Sequence, residues 1–157
     1  MTMLRNFIYD EISVGQTASY DRTLTERDIL LFAEVSGDVN PVHVDPDFAA
    51  KSMFGERIAH GAWIGAVISS GLALHLPGPG TIYLSQTLTF RSPVKIGDTV
   101  TITLTVTEKR DDKQFITIEC LAVNQHGKTV AKGPAQVLGP KEKLEIPAPT
   151  LPPIRIG

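Results

Sequence analysis

The chain has 157 residues, 42% of them hydrophobic, and a formal net charge of -2. That length suits one domain with a sizeable core, and a near-neutral chain without a Lys/Arg cluster argues against a nucleic-acid partner. The single cysteine, Cys120, excludes a disulfide within the chain and fits a reducing, cytoplasmic setting.

The N-terminal stretch "MTMLRNFIYDEISVG" lacks the long apolar run of a signal peptide. "QTASYDRTL" reads as an early strand. In "LTERDILLFAEVSG", Thr25 is placed to cap a helix, with Asp28 three residues on as a variant of the capping box. Ile29, Phe32, Ala33 and Ser36 follow at helical spacing, and Gly37 is a suitable stop. Next comes "SGDVNPVHVDPDFA", where Pro41 and Pro46 argue against an ordinary helix. "PDFAAKSMF" can still form a short one with Pro46 in its first turn, and "GERIAHG" is a loop. "GAWIGAVISSGLALHL" is too short for a membrane span. It predicts a buried helix from about Gly61 to His75, enclosed because Gly, Ala and Ser occur on all its sides, and ended by "PGPG".

The second half changes period. "TIYLSQTLTFRSPV", "DTVTITLTVTEKR", "KQFITIECLAVNQ" and "KTVAKGPAQVLG" are Thr/Val/Ile-rich and largely alternate. Short turns at "KIGD", "RDDK" and "NQHGK" predict a four-strand antiparallel meander, which the early strand is free to join. An α+β layout of this kind, a curved antiparallel sheet wrapped around one helix, is the hotdog fold, here spanning residues 1–139. Residues 140–157 hold five of the eleven prolines and no periodicity, so they read as a linker or extended arm.

Chemistry concentrates at Asp38, Asn40 and His43. Proline fixes its own φ and biases the residue before it to extended geometry, so Asp38 and His43 can converge from a non-helical path. A carboxylate and an imidazole gripping one water are equipped for general acid–base catalysis, with Asn40 able to orient either. The same residues also read as helix-exit and turn residues beside a loop histidine. If a helix starts at Gly61, its free N–H and dipole would stabilise a thioester enolate; equally, the glycine permits close packing. His60 reads as packing or capping, Ser69 as a hydroxyl bonded one turn back, His75 as a helix-end cation, His126 as solvated and Trp63 as core. Residues 61–75 contain no Asp or Glu, so the buried helix itself offers no catalytic carboxylate. A non-catalytic binding or dimerisation module would have no use for the Asp38, Asn40 and His43 set. No His/Cys cluster has metal-ligand spacing.

"FAEVSGDVNPVHVDPDFAA" resembles the hydratase motif of the MaoC-like (R)-specific enoyl-CoA hydratases, Asp-x-Asn-Pro-x-His after a small residue. "RIAHGAWIGAVIS" is similar to the family's second block, and "PGPGTIYLSQTLTFRSPVKIGDTVTITLTV" to the start of its sheet. The resemblance implies reversible hydration of trans-2-enoyl-CoA to (R)-3-hydroxyacyl-CoA without metal or organic cofactor. It implies Asp38 and His43 as the catalytic pair holding the water, Asn40 as their support, the Gly61 amide as oxyanion donor, and Ser69 near the water and acyl pocket. It also implies a homodimer with the coenzyme A arm along the subunit interface, or an acyl carrier protein as the carrier. Trp63 departs from the smaller or more flexible apolar residue expected there, which bears on acyl length. The proline-rich end resembles the junction in proteins that join such a domain to a phosphate acetyltransferase.

Overall fold

All 157 residues are described by a computed structural model. β1 (Met3–Arg5) and a 3-10 turn at Tyr9–Glu11 precede β2 (Thr17–Thr23) and α1 (Glu26–Ser36). α1 begins at the predicted cap. Asp28 N–H donates to Thr25 Oγ1 at 3.1 Å, and Thr25 N–H donates back to Asp28 Oδ2 at 2.9 Å, so two orphan donors are satisfied reciprocally. It ends at Gly37, whose φ of 77° lies in the left-handed region that glycine enters without steric cost.

α2 (Pro41–Val44) and α3 (Pro46–Ala50) follow as single turns. α3 is the expected short helix with Pro46 in its first turn, whereas α2 corrects the expectation of a non-helical path from Asp38 to His43. Pro41 opens a helical turn, where a missing N–H is not needed and the fixed φ already fits. α4 (Gly61–Leu74) buries Trp63, Ile64, Val67, Ile68 and Leu72, each contributing roughly 1.5–3 kcal/mol. It is not enclosed on all sides as expected. Ala62, Ala66, Ser70 and Ala73 are exposed, because the sheet curls around only one side of the helix.

The sheet comprises β2, β3 (Ile82–Gln86), β4 (Thr89–Phe90), β5 (Thr99–Arg110), β6 (Phe115–Asn124) and β7 (Thr129–Leu138), all antiparallel in the order β2-β5-β6-β7-β3, with β4 also on β7. The expected four-strand meander is therefore corrected. Only β5, β6 and β7 are sequential neighbours, and β3 crosses to the far side of β7. The predicted "TIYLSQTLTFRSPV" strand is also broken in two and ends at Phe90. Gln86 pairs with Ala135 and Thr89 with Lys132, leaving Thr87 and Leu88 opposite Gly133 and Pro134. Proline offers no ladder donor there, and Gly133 lets the Thr87 carbonyl approach a point that a Cβ would occupy at 2.0 Å.

Alternation sets the core. Val100, Ile102, Leu104 and Val106 on β5, and Ile116, Ile118, Cys120 and Ala122 on β6, are buried against α4. Cys120 is a free thiol, and burial pushes its pKa up to about 12. In the tail, β8 (Glu145–Pro147) pairs antiparallel with β1, and Arg27 donates to the Ile154 carbonyl at 2.6 Å. No helix is long and apolar enough to cross a membrane.

Candidate active site

The segment from Ser36 to Asp47 is shaped by its own short side chains. Asp38 N–H donates to Ser36 Oγ at 3.1 Å, Asn40 N–H to Asp38 Oδ1 at 3.1 Å, Val42 N–H to Asn40 Oδ1 at 3.3 Å and Asp47 N–H to Asp45 Oδ1 at 3.0 Å. Each step joins a side-chain oxygen to the amide two residues on, the local bond that Ser, Asp and Asn favour at turns. Asn40 thereby caps α2, the turn that carries His43. Asp45 caps α3 and takes no part in the cluster.

His43 is buried, and its Nδ1 lies 2.8 Å from the Ile58 carbonyl. A carbonyl only accepts, so Nδ1 carries the proton and Nε2 presents a lone pair. Nε2 stands 4.0 Å from Asp38 Oδ2, and the Asp38 side chain is half-exposed. Beside them His43 and Gly61 line a cavity of about 300 Å³ with Phe54, Ile64, Phe90 and Arg91. Gly61 is the first residue of α4 and its N–H has no acceptor within the chain, so it lies at the positive end of the helix dipole. A Cβ on Gly61 would stand 3.2 Å from the Phe90 ring.

Asp38, Asn40, His43 and Gly61 are thus brought together. Ser69 lies two turns along α4, about 12 Å by helical rise. It lines a shallow groove with Ala62, Ala66, Tyr83 and Leu84, against the edge strand β3. Trp63 is core, and it borders a third cavity with Tyr20, Arg22 and His75 rather than the His43 cavity. His75 is exposed and stacks on Tyr20, and His126 is exposed in its turn.

His60 is the packing residue that the sequence suggests, and not a cap. It is buried at the start of α4 without a side-chain cap bond, its ring stacked on His43 at 3.9 Å between centroids. Its place directly before Gly61 was the only signal available. Ile58 acts through a main-chain carbonyl, which no sequence pattern marks. Asp38, His43 and His60 offer ligand atoms within 4.8 Å of one another, a spacing open to a metal ion. The two imidazoles, however, lie 25° from parallel, so their in-plane lone pairs run side by side and one ring would have to swing for both to bind one ion.

Residues 11–126 match the family model described as a MaoC like domain; the chain belongs to that family. It is 46% identical over 132 residues to an (R)-specific enoyl-CoA hydratase of Rhodospirillum rubrum, covering 84% of this chain and 91% of the relative. It is 39% identical over 140 residues to a 3-hydroxybutyryl-CoA dehydratase of Methylorubrum extorquens, covering 89% and 88%. Among solved structures, R-hydratase PhaJ1 from Pseudomonas aeruginosa superposes with a TM-score of 0.95 at 49% identity, covering 99% of this chain and 100% of that one. The (R)-hydratase from A. caviae gives 0.80 at 39%, covering 82% and 98%.

Proposed function

We propose that this protein hydrates trans-2-enoyl thioesters of coenzyme A to (R)-3-hydroxyacyl thioesters and catalyses the reverse dehydration. One observation carries the reading: Asp38 Oδ2 and His43 Nε2 face each other 4.0 Å apart beside a cavity that also holds the Gly61 N–H. That gap is too long for a direct hydrogen bond, whereas a water ~2.8 Å from both atoms subtends an angle of about 90° and bonds to each. The water oxygen bonds to Cβ of the enoyl group as one of its protons passes to the pair. The pair returns a proton to Cα on the same face, so H and OH add across the double bond and nothing is oxidised. Charge moves onto the thioester oxygen as the enolate forms, and the Gly61 N–H is the donor that meets it. Asn40 holds the turn under His43, whereas Ser69 lies in the separate groove against β3 and takes no part in the step.

The hydratase and dehydratase names of the relatives support both directions of the reaction. The chemistry calls for no metal or organic cofactor, since the thioester is the substrate. Around the cavity mouth, Arg91 and Lys128 have no acidic partner. Lys128 lines a second hollow that shares Phe54, Ser92 and Pro93 with the His43 cavity. These two cations suit the phosphates of a coenzyme A arm, and an acyl carrier protein would present fewer phosphates to them. The exposed small-residue face of α4 and the edge strand β3, with Ile82 and Leu84 exposed, support a homodimer.

The test is to incubate the protein with crotonyl-CoA, follow the loss of enoyl-thioester absorbance and resolve the product on a chiral column. (R)-3-hydroxybutyryl-CoA is expected. Release of free thiol would transfer the assignment to a thioesterase, and an unchanged substrate would remove the catalytic reading.

A further inference from the structure

We propose that His60 is a positioning residue that holds Asp38 and His43 in register for the shared water. The proposal rests on the hydratase reading for its kinetic consequence, and on geometry alone for its structural part. His60 Nε2 lies 2.9 Å from the Asp38 main-chain oxygen. That oxygen only accepts, so Nε2 carries the proton and donates it. The face of the same ring stacks on His43 at 3.9 Å and 25°. Phe32 of α1 approaches His60 at 5.0 Å between centroids, tilted 46°. One side chain therefore touches both members of the pair, tying the main chain of one and restraining the ring of the other.

Packing alone does not explain an imidazole here. His60 is 2% exposed, and its Nδ1 is the one buried side-chain polar atom in the chain without a hydrogen-bond partner. An unmet buried acceptor costs stability. A phenyl ring would fill much of the same slot without that cost, but could not donate to Asp38. The energetic sign thus separates a structural role from a positioning one. A residue kept for the fold should lose stability when replaced by phenylalanine; a residue kept for the site should lose turnover instead. Displacements of about 1 Å in a catalytic group can cost on the order of 10²-fold in rate, and the 4.0 Å gap between Nε2 and Oδ2 leaves one water little latitude.

Two variants divide the two contacts. His60→Phe keeps a ring against His43 and loses the donor, whereas His60→Gln keeps a donor toward Asp38 and loses the ring. Turnover of crotonyl-CoA per folded subunit, KM and melting temperature are measured for each. For His60→Phe the expected result is a melting temperature no lower than wild type, kcat reduced about 10- to 100-fold and KM within about two-fold. His60→Gln is expected to regain part of the lost kcat. Full kcat in His60→Phe, or a loss matched by the folded fraction, overturns the proposal. A separate measurement does not depend on activity. Nitrogen-detected NMR of the wild-type imidazoles should find the His60 proton on Nε2 and the His43 proton on Nδ1, and a His60 proton on Nδ1 overturns the proposal even if the protein hydrates nothing. If wild type leaves crotonyl-CoA untouched while NMR finds the expected tautomers, the hydratase reading fails and the geometric claim stands.

Discussion

The carbonyl of Ile58 selects the nitrogen with which His43 can work. By accepting from Nδ1 at 2.8 Å it turns the Nε2 lone pair outward, toward the Asp38 carboxylate. Asp38 is divided in the same way, with Oδ1 accepting the Asn40 N–H and Oδ2 facing His43. Asp38→Asn keeps an oxygen for the Asn40 amide and removes the charge, and His43→Ala removes the ring. Each is expected to lower kcat on crotonyl-CoA by on the order of 10²–10⁴ with an unchanged circular dichroism spectrum. Wild-type turnover in either variant would sink the acid–base pair.

Gly61→Pro isolates the proposed oxyanion donor. Gly61 is the first residue of α4, where proline is well tolerated. His60 before it has ψ of 137°, inside the range that a following proline favours. A Cβ on Gly61 meets only the Phe90 ring, at 3.2 Å, and Phe90 is half-exposed. The variant should fold, and its kcat should drop by about 10²-fold or more from loss of one donor. Normal kcat in the folded variant would show that the N–H is not used.

Charge reversal at the cavity mouth tests the carrier. Arg91→Glu with Lys128→Glu should raise KM for a coenzyme A thioester and weaken its dependence on ionic strength, because phosphate recognition by exposed cations is screened by salt over about 10 Å at 0.1 M. With a short thioester such as the N-acetylcysteamine ester, which lacks the phosphates, wild type and variant should have equal KM. A KM for crotonyl-CoA unmoved by both reversals would place the phosphates elsewhere.

Gly133 is expected to be among the least replaceable residues for stability. A Cβ there meets the Thr87 carbonyl oxygen at 2.0 Å, and a main-chain atom cannot rotate away. Gly133→Ala should cost about 3 kcal/mol through overpacking and backbone displacement, read as a lower urea midpoint. An unshifted midpoint would mean that the crossing between β3 and β4 is looser than described.

Stability should fall on the alkaline side. The Cys120 thiol ordinarily titrates near 9.0, and burial raises it to about 12 in the folded chain. Below about 9 both states hold the proton and the contribution is fully present. Between 9 and 12 the unfolded chain binds fewer protons than the folded one, so stability declines as pH rises. Burial raises the Tyr20 hydroxyl as well, in the same direction. Urea midpoints across that window should fall for wild type and fall less steeply for Cys120→Ala; parallel curves would refute the contribution of the thiol.

What could be read from the sequence was local. The Thr25–Asp28 cap, the Gly37 stop and the alternation along β5 and β6 depend on neighbours a few residues apart, and all three are found. Pairing between distant segments was legible only in part: the early strand joins the sheet as expected, as β2 on β5, but the segment after α4 was misplaced. The crossing of β3 to β7 depends on how the chain wraps α4, and the break between β3 and β4 on Gly133 and Pro134 across the ladder. Pro41 was misread because its missing N–H is visible in the sequence while its place at the start of a turn is not. At the site, Asp38, Asn40 and His43 stand out as a motif. The stacking of His60 on His43 arises only when the start of α4 and α2 are brought together, so no sequence pattern marks it.

The run of side-chain-to-amide bonds from Ser36 to Asp47 makes the reactive loop largely self-templating. Its link to the rest of the molecule through His43 and Asp38 passes mainly by the Ile58 carbonyl and the His60 ring. What ties the loop to α4 is therefore confined to the first turn of that helix, where His60 and Gly61 stand. Residues farther along α4 can change with little disturbance to Asp38 and His43, whereas a shift of its first turn would move the loop and the cavity together.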